Sequence, residues 1–257
     1  MGQVKAGSTH LTWGNIESDE TWSTFLKDCS DLGHHGISCI EFMMGERYKR
    51  PSEVKADAEA HNLEVCALDQ RIEVPEDDYY KEGCEFLNTV GGEVLVLLGG
   101  NGYEDEDFKR VSDDLNRIGR ICTAEGVKAV YHHHTNNTAE NFEQFKKLMS
   151  MTDPSVFHAM VDTGHITKDM RPDPAHEVIK HFADRLVFIE LKDWTEETNL
   201  TTEVGHGDCD HDAVWQTLKD IDYSGWLVVE QNGAVEGRPP RESARMSRES
   251  IRNGMGV

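Results

Sequence analysis

Eight short runs rich in β-branched and aliphatic residues recur along the chain: VKAGSTHLTW (4–13), ISCIEFMM (37–44), LEVCALDQ (63–70), EVLVLLGG (93–100), VKAVYHHH (127–134), VFHAMVDT (156–163), LVFIELKD (186–193) and WLVVEQN (226–232). Near-continuous apolar runs of this length suit strands buried on both faces. Between and after them, segments 20–33, 51–61, 77–90, 105–125, 138–150, 173–183, 210–222 and 239–253 carry apolar residues at helical spacing. Each strand is thus followed by a helical crossover long enough to demand a parallel neighbour. Eight such units predict a single (β/α)8 TIM barrel spanning 1–257, with its site at the C-terminal ends of the strands. A doubly wound open sheet is the alternative, but it would gather polar groups at one switch point. Here they are spread over many strands.

Punctuation agrees with these boundaries. Prolines in DPSVF (153–157), RPDP (171–174) and GRPPRE (237–242) fall at turns or first helical turns. Gly33, Gly91, Gly126 and Gly225 fall between helix ends and the next strand. Gly99–Gly100 and Gly205–Gly207 are expected to let the backbone approach a ligand closely.

Composition narrows the partners. With 48 acidic against 26 basic residues, the formal net charge is −22, which argues against nucleic acid and anionic membrane surfaces. The acidic excess lies along helical segments such as YEDEDFKRVSDDL (103–115) and reads as a solvated surface. No run is long and apolar enough to span a membrane, and MGQVKAGSTHLTW has no apolar signal core, so a cytoplasmic location is expected. The six cysteines show no CxxC pairing, and most fall inside apolar segments, as buried free thiols do.

The chemistry sits where four successive runs end. VYHHHTNN (130–137), FHAMVDTGH (157–165), LVFIELKD (186–193) and WLVVEQN (226–232) each finish in His, Asp, Glu or Lys. Alternate strand residues share a face, so His132 and His134 point to the barrel mouth and His133 toward the helices. Strand six offers Asp162 and His165, strand seven Glu190, Lys192 and Asp193, and strand eight Glu230. One alone would pass for a helix cap or an ion-pair member. Several carboxylates meeting at one barrel mouth would repel without a cation, and a mostly oxygen donor set suits Mn2+, Mg2+ or Co2+.

YHHHTNN, VDTGH, ELKDW, EVGHGDCD (203–210) and DYSGWLVVEQ (222–231) together resemble the sugar phosphate isomerase/epimerase superfamily of xylose isomerase-like barrels. That group includes inosose dehydratase, ketose 3-epimerases and 3-dehydroshikimate dehydratase. The likeness covers nearly the whole chain and is strongest from 127 to 232. It implies a metal quartet of His132, Asp162, Glu190 and Glu230, holding one divalent ion. Mn2+ is the first expectation, with Co2+, Mg2+ or Zn2+ as alternatives. Two positions depart from the epimerase pattern: strand five supplies His132 in place of Glu, as in the inosose dehydratase branch, and strand seven reads IELKD where HxKD is usual.

The resemblance implies proton abstraction beside a carbonyl, with the ion stabilising the charge that develops. Glu230, His134, His165 and Lys192 are the acid/base candidates, and Glu41, His10, Trp13, Asp193 and His206 the expected substrate contacts. The first expectation is an isomerase or epimerase of a sugar or related polyol. The alternative is a dehydratase of an inosose or sugar acid, because a ligating His132 is a poor proton shuttle. The expected partner is a small sugar, cyclitol or sugar acid, and relatives of this kind also form homo-oligomers. No basic glycine loop for phosphate stands out. An apurinic endonuclease would need more ligands and a basic face, and a non-catalytic binding protein would keep the metal geometry without turnover.

Overall fold

A computed structural model describes residues 3–257. Eight parallel strands close into a barrel in sequence order: β1 (Val4–Ser8), β2 (Gly36–Ile40), β3 (Glu64–Arg71), β4 (Val94–Leu98), β5 (Lys128–His132), β6 (Phe157–Asp162), β7 (Leu186–Leu191) and β8 (Gly225–Val229). Closure is made by β8 against β1, in register from Val4↔Gly225 to Ser8↔Val229. Among the described residues nine helices surround it: α1 (Asp19–Leu32), α2 (Pro51–Ala60), α3 (Asp77–Val90), α4 (Asp105–Ala124), α5 (Phe142–Ser150), α6 (Thr163–Asp169), α7 (Ala175–His181), α8 (His211–Asp220) and α9 (Pro240–Met255). The single (β/α)8 barrel expected from the pattern is the architecture observed.

Local chemistry sets the helix ends. Ser18 caps α1 by accepting from the Thr21 amide, and the chain leaves through Gly33 at φ +78°. Asn141 and Gln144 form a reciprocal capping box on α5, which therefore starts later than residue 138.

Two buried clusters make the core. One fills the layer between strands and helices, with Phe25, Leu95, Leu97, Phe145 and Leu191 among its members. The other, smaller cluster includes Val94, Val96, Val130, Met160, Phe188, Trp226 and Val228. Four of these stand two residues before a polar strand end: Val130 before His132, Met160 before Asp162, Phe188 before Glu190, and Val228 before Glu230. The two-residue period of a strand therefore sets each of these polar groups directly above an apolar plug.

The strand ends differ from the expected spans. β1 stops at Ser8, and the chain turns so that the amides of Trp13 and Gly14 donate to the His10 carbonyl. β2 stops at Ile40, and Glu41–Met43 forms a 3-10 turn. After β6 an unanticipated helix, α6, begins at once. Asp162 caps it, Oδ1 accepting from the His165 amide at 2.9 Å. Seven residues are too few for a helical period to show in sequence. Among the described residues no helix is long and apolar enough to cross a membrane. All six cysteines are free and buried.

Candidate active site

His132, Asp162, Glu190 and Glu230 meet at the C-terminal mouth, each offering a ligand atom within 4.8 Å of the others. His132 Nε2 stands 3.2 Å from Asp162 Oδ2 and 3.3 Å from Glu190 Oε2. Lys192, two residues beyond Glu190 and fully buried, extends Nζ to 2.5 Å from Glu230 Oε1 and 3.4 Å from Asp162 Oδ2. Because Oδ1 of Asp162 is tied to the α6 cap, Oδ2 is the oxygen that faces the cluster. His133 turns outward, its ring 4.8 Å from that of Phe145, and its Nε2 accepts from the Asp162 amide at 3.1 Å.

Burial pushes every carboxyl here upward, and the neighbours decide the outcome. For Asp162 the nearby Lys192, His165 and His132 outweigh burial and hold the group well below the usual range. Glu230 is likewise held low by Lys192 and His132 against burial. Glu190 goes the other way: burial and then Glu230, Asp69 and Asp162 push it well above the ordinary value. Lys192 loses to burial but gains more from Asp162, Glu230 and Glu190, and stays charged.

A divalent cation fits this donor set. Both Glu190 oxygens are buried without a hydrogen-bond donor. That arrangement is costly unless a positive charge faces them. Three carboxylates against one ammonium leave two negative charges, the charge of one such ion. Oxygens with a single imidazole are the donors of a hard or borderline metal.

Above the cluster opens a cavity of about 420 Å3. It is lined by the polar His132, His134, Glu230, Asn232 and Asp69 and by Leu11, Gly14, Ile40, Phe42, Met43 and Leu98. The His134 ring packs at a tilt against that of His165, ring centroids 4.0 Å apart. His165 Nδ1 in turn lies 3.2 Å from Asp169 Oδ2, and its Nε2 has no partner. Burial lowers the basicity of both imidazoles.

Several expected substrate contacts stand elsewhere. Trp13 turns to α1, its Nε1 donating to Asp28 Oδ2 at 2.9 Å and its ring packing on Phe25. Leu11 and Gly14 reach the cavity from that loop instead. Glu41 is not a strand end: it starts the 3-10 turn and accepts from the Tyr79 hydroxyl at 2.9 Å, while Phe42 and Met43 line the cavity. His10 is buried beside Glu230, its Nδ1 2.9 Å from the Gly14 carbonyl oxygen.

Asp193 is a loop clamp, accepting from the amides of Trp194, Gly205, Gly207 and Cys209 at 2.8–3.1 Å. The glycines expected near a ligand thus approach a carboxylate of their own chain, and a Cβ on Gly207 would sit 2.4 Å from Asp193 Oδ1. Gly100 does the same, its amide donating to Glu73 Oε1 at 2.7 Å. His206 is exposed and lines a separate depression with Trp215, Met246 and Glu249.

One group was missed. Asp69 ends the run LEVCALDQ much as Asp162 ends VFHAMVDT, so the signal was present, but no histidine drew attention to it. It is buried, lines the cavity, and is pushed well above the carboxylate range by burial and then Glu230.

A closed parallel barrel with an acidic cluster of metal-type side chains at its C-terminal mouth has the layout of a TIM-barrel enzyme, whose site lies at that end. The sequence profile described as xylose isomerase-like TIM barrel matches residues 26–253, and the chain belongs to that family. An inosose dehydratase of Clostridium perfringens is 25% identical over 291 residues, covering 97% of each chain. Among solved structures, a D-allulose 3-epimerase from Methylomonas sp. in complex with D-allulose superposes with a TM-score of 0.78 at 14% identity, covering 98% of this chain and 96% of that one. An IOLI protein with a zinc atom superposes at 0.74 with 19% identity, covering 98% of both. The protein is an enzyme, similar in sequence to an inosose dehydratase and in fold to a sugar epimerase and a probable dehydratase.

Proposed function

We propose that this enzyme is a divalent-metal-dependent dehydratase of a keto-cyclitol or closely related keto-sugar. One observation carries the reading: the ligand cluster takes an imidazole, His132, from β5, so the cavity lacks the β5 carboxylate of a two-glutamate epimerase shuttle. The full-length likeness to an inosose dehydratase supports the same choice. Manganese is the preferred ion, because three carboxylates and one imidazole are a hard donor set.

His132, Asp162, Glu190 and Glu230 would hold the ion, which when bound would act as a Lewis acid toward the substrate's carbonyl and neighbouring oxygen. Glu230 lines the cavity with one oxygen engaged by Lys192, which keeps it ionised and fixed as the base for the proton beside the carbonyl. His134, open to the cavity, keeps its Nδ1 proton on the Thr135 carbonyl oxygen, and once Nε2 is protonated it gives that proton to the departing hydroxyl. The carbon–hydrogen and carbon–oxygen bonds break on adjacent carbons, and one water leaves.

The test is incubation of the Mn2+-loaded protein with an inosose in D2O, followed by mass spectrometry. Loss of one water, reduced roughly a hundredfold in His134→Ala, is expected. Deuterium uptake without water loss would replace this reading with the isomerase or epimerase one. Asp69 gives that second reading its footing, since it supplies a further carboxyl beside Glu230 in the cavity. Protein that retains no divalent ion by elemental analysis would overturn both.

A further inference from the structure

We propose that the substrate ring carries an uncharged apolar substituent, aromatic in the first instance, seated against Phe42, Met43, Ile40, Leu11 and Leu98. This rests on the reading of the cavity as a keto-polyol site and narrows its substrate class. The polar lining groups, His132, His134, Glu230, Asn232 and, beside Ile40, Asp69, can satisfy the hydroxyls of one ring. The remaining lining offers only aliphatic, thioether and aromatic side chains, apart from Gly14. Hydroxyls buried there would lose their water without gaining partners, so whatever fills that side is apolar. Among the described residues no lysine or arginine lines the cavity, which disfavours a phosphate or carboxylate substituent.

Phe42 belongs to this wall and is exposed. It is 40% exposed, one of three large apolar side chains so exposed among the described residues. The turn that carries it follows β2 directly, and the Tyr79 hydroxyl anchors the adjacent Glu41. Arg71, ending β3, lays its guanidinium 4.4 Å from the ring centroid. An aromatic ring fixed from two sides and opening on the same cavity as the candidate metal ligands is a rigid stacking platform. The Glu41–Tyr79 bond thereby gains a role as a support for Phe42.

Calorimetry on the Mn2+-loaded protein with the unreactive probes phenyl β-glucoside and methyl β-glucoside tests the wall without requiring turnover. The phenyl compound should bind at least about tenfold tighter, and Phe42→Ala should bring the ratio close to one, while Phe42→Trp keeps it. Equal affinities in the unaltered protein, or a ratio undiminished in both Phe42→Ala and Met43→Ala, would overturn the inference. An inosose and its phenyl ether at the carbon opposite the carbonyl, both of which keep a hydrogen beside the carbonyl and a hydroxyl on the next carbon, followed in D2O, separate it from the reading beneath. A phenyl preference in binding with neither water loss nor exchange in either compound leaves this wall standing and removes the dehydratase.

Discussion

Leu98 and His132 are register partners across β4 and β5, and the barrel mouth changes character between them. From β5 to β8 the strands raise His132, Asp162, Glu190 and Glu230 above the plug. On the other side Ile40 and Leu98 meet the cavity, and Asp69 is the carboxyl among them. The backbone is the same on both sides, eight parallel strands of one ring. The first half gathers buried like charges and holds Glu190 with neither oxygen hydrogen-bonded, a cost to stability that makes sense only for chemistry. The second half buries apolar surface and supplies shape. On the function proposed above, reactivity and substrate fit fall on separate arcs of one mouth.

The sharpest test is Glu190→Gln. It should cut turnover roughly a thousandfold through loss of the ion, yet raise the melting temperature of the chelator-treated protein, because one buried repulsion is gone. Elemental analysis and paired melts read both effects, and a lower melting temperature without metal would break the contrast between the arcs. Leu97→Ala, in the fully buried layer outside β4, should behave oppositely. A loss of about 3 kcal/mol in denaturant unfolding is expected, with metal content unchanged.

The smallest effect is a pH dependence beneath the apolar arc. His34, between α1 and β2, is lowered from 6.5 to about 3, chiefly by burial and then by Arg248. Above 6.5 it is neutral in folded and unfolded chains alike and contributes no slope. As the pH falls below 6.5 only the unfolded chain takes up the proton, so stability declines on acidification until about pH 3. By pH 5 the loss from this group is about 2 kcal/mol, and His34→Leu should remove that part of the slope in urea titrations.

Much of the candidate site was legible because strand periodicity is local. Once VYHHH was a strand, His132 and His133 had to face opposite ways, and their observed contacts with Asp162 and Phe145 follow. The expected contacts from loops fared worse. Trp13, Asp193 and His206 lie beyond strand ends, where no period fixes direction, and distant partners such as Asp28 and the amides of 205–209 determine where they point. Asp162 serves both readings considered for it, since one oxygen caps α6 and the other joins the cluster.

The sequence by itself determined the eight-fold alternation, the parallel barrel and the face on which each strand residue stands, because these depend on backbone sterics and apolar spacing. Tertiary structure alone decided that residues 132 and 230 bring ligand atoms within 4.8 Å of each other and that Asp69 opens on the same cavity. It also decided that Phe42, rather than Glu41, opens on the cavity. Those outcomes depend on ring closure and on where the chain turns after each strand, which are set by contacts between residues far apart in sequence.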